Sequence, residues 1–68
     1  MNIVNFFSYQ VERAKTTVSF YIPEMDAYLL KEFLDTEYVS LLSFVWKHPE
    51  LNITILIKDG FVTIIPGI

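Results

Sequence analysis

Residues 51–68 read LNITILIKDGFVTIIPGI, and charge enters this stretch only at Lys58 and Asp59. Leu51, Ile53, Ile55 and Ile57 alternate with Asn52, Thr54, Leu56 and Lys58. That is the period of two of a half-buried strand. Asp59-Gly60 follows, a dipeptide that tolerates the positive φ angles of a two-residue hairpin turn. Residues 61–65, FVTII, then run back as a second strand. A turn at Asp59-Gly60 sets Lys58 opposite Phe61, Ile57 opposite Val62 and Ile55 opposite Ile64. Ile53, Ile55, Ile57, Val62 and Ile64 then share one face, which reads as core. The other face carries Lys58, Thr54 and Thr63, but also Leu56, Phe61 and Ile65. It is too apolar for a face that meets only water.

Upstream, TTVSFYIP (16–23) alternates as well. Val18, Phe20 and Ile22 point one way, and Thr17, Ser19 and Tyr21 the other, so a strand is expected to end at Pro23. Pro23 suits the first position of a helix, and Glu24 and Asp26 suit the positive end of its dipole. Met25, Leu29, Leu30, Phe33 and Leu34 fall on one side of that helix, with Tyr28, Lys31, Glu32 and Asp35 on the other. A break is expected near Asp35-Thr36-Glu37.

Residues 38–47 are harder to assign. Ser40, Ser43 and Lys47 make a narrow polar stripe at helical spacing, and Tyr38, Val39, Leu41, Leu42, Phe44, Val45 and Trp46 cover the rest. Periodicity favours a second helix, stopped by Lys47-His48-Pro49. The β-branched and aromatic content of the segment also suits a strand. Residues 2–14 carry a helical stripe of Ile3, Phe7 and Val11 with Val4 and Phe6, opposite Asn5, Ser8 and Glu12. Helix is favoured there too, against a hairpin with 16–22 through a turn near residues 12–15. The expected architecture is α+β: a small antiparallel sheet including a C-terminal hairpin (51–58 and 61–65), covered on one face by amphipathic helices.

The chain has 68 residues, which bounds it to one small domain. Domains of this size bury only about 60% of the surface their unfolded chains expose. There is no cysteine, and His48 is the only histidine. Disulfides, thiolate metal sites and multi-histidine metal sites are therefore excluded. Hydrophobic residues make up 53% of the chain and the mean hydropathy is +0.42. Association with another chain is the available means of covering the surplus apolar surface. No cofactor is expected.

The net charge is −3. Arg13, Lys15, Lys31, Lys47 and Lys58 are scattered, so direct binding to nucleic acid is not expected. No apolar run reaches the roughly 18 residues of a membrane span. Residues 1–10, MNIVNFFSYQ, lack the basic start and cleavage site of a signal peptide. A cytoplasmic location is the resulting expectation. Asn52-Ile53-Thr54 matches a glycosylation acceptor, which has no consequence in that compartment.

Catalytic signals are absent from the pattern. His48 is the lone general-base candidate near neutral pH, and no nucleophile elbow or Gly-rich phosphate loop accompanies it. At a helix end it would simply face the dipole. Glu24, Asp26, Glu32, Asp35 and Glu37 form an acidic segment opposed only by Lys31. It reads as a solvated helix face or as a surface for a basic partner.

The expected function is that of a non-enzymatic small acidic interaction protein. It would form a homo-oligomer and bind, modulate or inhibit a larger macromolecule, as phage or mobile-element inhibitors, antitoxins and accessory subunits do. The expected oligomer or partner interface is Trp46, Leu42, Val39, Leu56, Phe61 and Ile65. Trp46 is placed at the edge of the second helix's wide apolar arc. The alternative is a small-molecule or nucleotide-binding protein whose pocket forms between protomers, with Tyr21, Tyr28, Thr17 and Lys31 as polar groups.

Overall fold

The computed structural model describes residues 2–67. Its elements, in order, are α1 (Ile3–Arg13), β1 (Val18–Tyr21), α2 (Glu24–Glu37), β2 (Val39–Leu42), β3 (Val45–Lys47), β4 (Ile53–Lys58) and β5 (Phe61–Pro66). The strands form one antiparallel sheet in the order β1-β5-β4-β3-β2, so β1 and β2 are its edges. The α+β expectation holds, with helices packed on one face of the sheet.

The hairpin forms in the register its turn dictates. Lys58 pairs with Phe61, Ile57 with Val62 and Ile55 with Ile64. Asp59 (φ 53°) and Gly60 (φ 82°) both sit in the left-handed region, as a type I′ turn requires. Strand β4 starts at Ile53 rather than Leu51, which lies exposed in the preceding loop.

Segment 38–47 is where the structure departs from the helical reading. It is a hairpin of β2 and β3 joined through Ser43 and Phe44, with a register shift between Ser40 and Leu42. The driving contact lies outside the segment: β3 pairs along β4, Val45 with Leu56, Trp46 with Ile55 and Lys47 with Thr54. Residues 3–13 are helical as expected, capped by the Asn2 side chain, which accepts from the Asn5 amide at 3.0 Å. Pro23 is the residue before α2 rather than its first residue, and Glu24 and Asp26 lie in the first turn.

Helix α2 also explains how the chain changes edges. Fourteen residues extend about 21 Å. Four strand spacings of about 4.8 Å separate β1 from β2. The helix therefore spans the sheet from one edge to the other, on the face it covers. Under it lie Trp46, Ile53, Ile55, Ile57, Val62 and Ile64 from the sheet, joined by Phe7 and Val11 of α1, Leu30 and Leu34 of α2, and Ile22. Edge-to-face aromatic contacts tie α1 in, Phe6 to Phe20 at 5.1 Å and Phe7 to Phe33 at 6.5 Å.

The core is narrower than the apolar side of α2. Leu30 and Leu34 are fully covered, but Met25 is 79% exposed and Leu29 56%. These two lie about 100–140° round the helix from Leu30, beyond the sector that α1 and the sheet reach.

Candidate functional site

The face of the sheet away from the helices is built row by row from the strand register. One row runs Val39, Lys47, Thr54, Ile65. The next runs Leu42, Val45, Leu56, Thr63, Ser19. The third runs Lys58, Phe61, Tyr21. Of the residues expected at an interface, Val39, Leu42, Leu56, Phe61 and Ile65 all come to this open face. Val39 and Leu42 arrive there on a strand, not on a helix.

Polar residues on this face, Ser19, Lys47, Thr54, Lys58 and Thr63, are interspersed with the apolar ones. The Ser19 and Thr63 hydroxyls share a hydrogen bond at 3.2 Å. The Lys58 ammonium lies 5.1 Å from the centre of the Phe44 ring, a cation–π distance. Tyr21 and Phe61 meet edge to face at 6.1 Å. Strand β2 adds an unpaired edge whose four residues, Val-Ser-Leu-Leu, are all exposed and uncharged. Natural proteins usually guard such an edge with charge, proline or a covering segment.

Trp46 is the exception, and the expectation of an exposed Trp46 is corrected. It is 1% exposed. Its partners across the ladder are Ile55 and Ser40, and its indole Nε1 donates to Asp35 Oδ1 at 2.8 Å. It is a core residue of this chain.

The acidic segment does not form one surface. Asp35 turns to Trp46. Glu24 lies beside Lys31 and Lys58 at a cavity of about 300 Å³ next to the Asp59-Gly60 turn. Asp26, Glu32 and Glu37 line a separate groove of about 590 Å³ between the start of α1 and the length of α2.

The polar groups expected to hold a small molecule are only partly gathered. Tyr21 and Lys31 line the cavity beside the turn, and Tyr28 lines a neighbouring one with Lys31. Thr17 lines neither. Glu24 and Asp59 stand at the first cavity with its two lysines, so their charges offset the field an anionic ligand would need.

His48 follows β3 instead of ending a helix. Its Nδ1 accepts from the amides of Glu50 at 3.0 Å and Leu51 at 2.9 Å. Its ring meets the Tyr38 ring at 5.0 Å. These two bonds order the 48–52 loop, which sets the return from β3 to β4. Tyr38 also packs against Phe7 and Phe33, and burial raises its pKa above the ordinary 10.0.

Among the described residues, no group of three or more His, Cys, Asp or Glu is placed to hold a metal ion, and no helix is long and apolar enough to cross a membrane. No protein-family model, curated protein or solved structure matches the chain.

Val45 and Lys47 complete the open face and were hidden from the sequence reading by the helical assignment of 38–47. Tyr21 was visible on the outer side of β1, by alternation alone.

Proposed function

We propose that this protein is a non-enzymatic interaction module. It self-associates through the open face of its sheet and binds a larger macromolecule, whose activity it modulates. The observation that supports this reading is the apolar run Leu42, Val45, Leu56, with Val39, Ile65, Phe61 and Tyr21 in the rows beside it, interrupted by Lys47, Thr54 and Lys58, and with no helix over it among the described residues.

Size is compatible with the role. The strands have four, four, three, six and six residues in chain order, so at about 4.8 Å spacing and about 3.3 Å per residue they make a face of roughly 360 Å² in projection. With its corrugation such a face approaches the roughly 600 Å² per partner at the low end of specific interfaces. The unguarded β2 edge borders the same face and extends it.

The test is light scattering coupled to size exclusion over a dilution series, on the wild type and on Leu56→Lys. A dimer or larger species that Leu56→Lys converts to a folded monomer supports the open face as the self-association surface. A wild-type chain that stays monomeric at micromolar concentration overturns the self-association part of the proposal.

A further inference from the structure

The groove between α1 and α2 carries the second inference, which rests on the interaction reading only in assuming a partner exists. Its floor is apolar: Ile3 and Val4 from α1, Leu29 and Phe33 from α2. Its rim is acidic: Asp26, Glu32 and Glu37. At about 590 Å³ it falls within the range of specific binding clefts, about 300–1,000 Å³. Leu29 projects into it more than half exposed, and Met25, exposed one turn earlier, extends the same stripe.

We infer that this groove docks a basic amphipathic helix of a partner protein. Three features select that occupant. The α2 part of the apolar floor, Leu29 and Phe33, is spaced i, i+4, about one helical turn, and so matches a pair of anchors one turn apart on a partner helix, with the acidic rim running further along α2. The carboxylates along it complement lysines or arginines flanking such anchors. The groove's walls are helices, so it offers no strand edge to an extended segment. The occupant must satisfy its own backbone, and a helix does. Exposed methionine at the margin suits the re-packing that such grooves use. Among the described residues, no lysine or arginine lines the groove.

Fluorescence anisotropy of the full chain with a labelled three-turn Leu/Lys amphipathic peptide tests this. A permuted peptide of the same composition without an apolar face, and a Leu/Glu version, serve as controls. The expected result is saturable binding of the amphipathic Leu/Lys peptide alone. Leu29→Ser and Glu32→Lys should each weaken it at least tenfold. Glu50→Lys changes the net charge equally but away from the groove, and should leave binding within about twofold. Melting curves confirm that each variant is folded. Equal binding of the permuted peptide, or no loss in Leu29→Ser and Glu32→Lys, overturns the inference. So does loss of binding in Leu56→Lys, because it moves the contact to the sheet. A chain that self-associates through the sheet yet binds no peptide overturns the groove and leaves the proposed self-association standing.

Discussion

The indole Nε1 of Trp46 donates to Asp35 Oδ1 across 2.8 Å, and this bond pins the C-terminal half of α2 to β3. The indole is buried and the bond is part-buried. A buried donor left unpaired costs about 1–3 kcal/mol. Asp35→Ala should therefore destabilise the fold by that order, although Asp35 itself lies on the surface. Asp35→Asn keeps an acceptor oxygen and should cost less. Trp46 is the only tryptophan, so urea unfolding followed by its fluorescence reads both variants directly. An Asp35→Ala protein as stable as wild type would show that the bond adds nothing.

The two faces of the hairpin should respond to substitution in opposite ways. Ile55 is fully covered, with Trp46 and Ile64 as its ladder neighbours. Ile55→Ala removes core volume and should cost about 2–5 kcal/mol. Phe61 is 49% exposed on the open face. Phe61→Ser should cost less in folding but weaken self-association, seen as a shift toward monomer in light scattering at equal concentration. Unfolding of Phe61→Ser would mean that the open face is needed for the fold of a single chain.

The turn between β4 and β5 gives a conformational prediction. At Gly60 an added Cβ would meet the Tyr21 ring at 3.7 Å, ordinary contact, so space is not the constraint. The constraint is φ, +82°. Gly60→Ala should therefore cost on the order of 1 kcal/mol through the left-handed backbone alone. Asp59→Asn keeps a residue that accepts positive φ and supplies the favoured Asn-Gly pair. It should leave the melting temperature unchanged or slightly raised. A large loss in Asp59→Asn would reveal a role for the carboxylate that the turn geometry does not require.

These elements differ in how far the chain alone announces them. The β4–β5 hairpin is legible because its information is local: strict alternation either side of Asp59-Gly60. The stripe Ile3, Phe7, Val11 announces α1 for the same reason. The β2–β3 hairpin is not legible. Two strands of four and three residues place Ser40, Ser43 and Lys47 at helical spacing by coincidence, and the register shift near Leu42 blurs the period of two. What decides the matter is pairing of Val45 and Trp46 with Leu56 and Ile55, residues that lie outside the segment, beyond the 48–52 loop. The same non-locality hides the burial of Trp46 and the exposure of Met25 and Leu29. Periodicity groups residues on one side of α2, but only tertiary packing decides how wide a sector is covered. Of the interface candidates, Leu56, Phe61 and Ile65 were legible as one face from the hairpin register. That Val39 and Leu42 share it follows only from the sheet order.

Tyr38 supplies a pH dependence whose sign follows from its surroundings. Its ring packs among Phe7, Phe33 and His48, and burial holds its pKa in the fold above 10.0. In the unfolded chain the phenol ionises near its ordinary value, about 10. Between those two values the unfolded state binds fewer protons than the native state, so stability falls as pH rises. The contribution is fully present below pH 10 and is lost through the folded pKa above it. The phenol is only partly buried, so the slope should be shallow. Tyr38→Phe cannot ionise and should remove this component of the alkaline limb while changing little at neutral pH. Urea midpoints of wild type and Tyr38→Phe, compared at neutral pH and at steps above pH 10, measure it as a difference. Parallel alkaline limbs would show that the ionised phenol is accommodated in the fold as well as in water, and would contradict the packing around it.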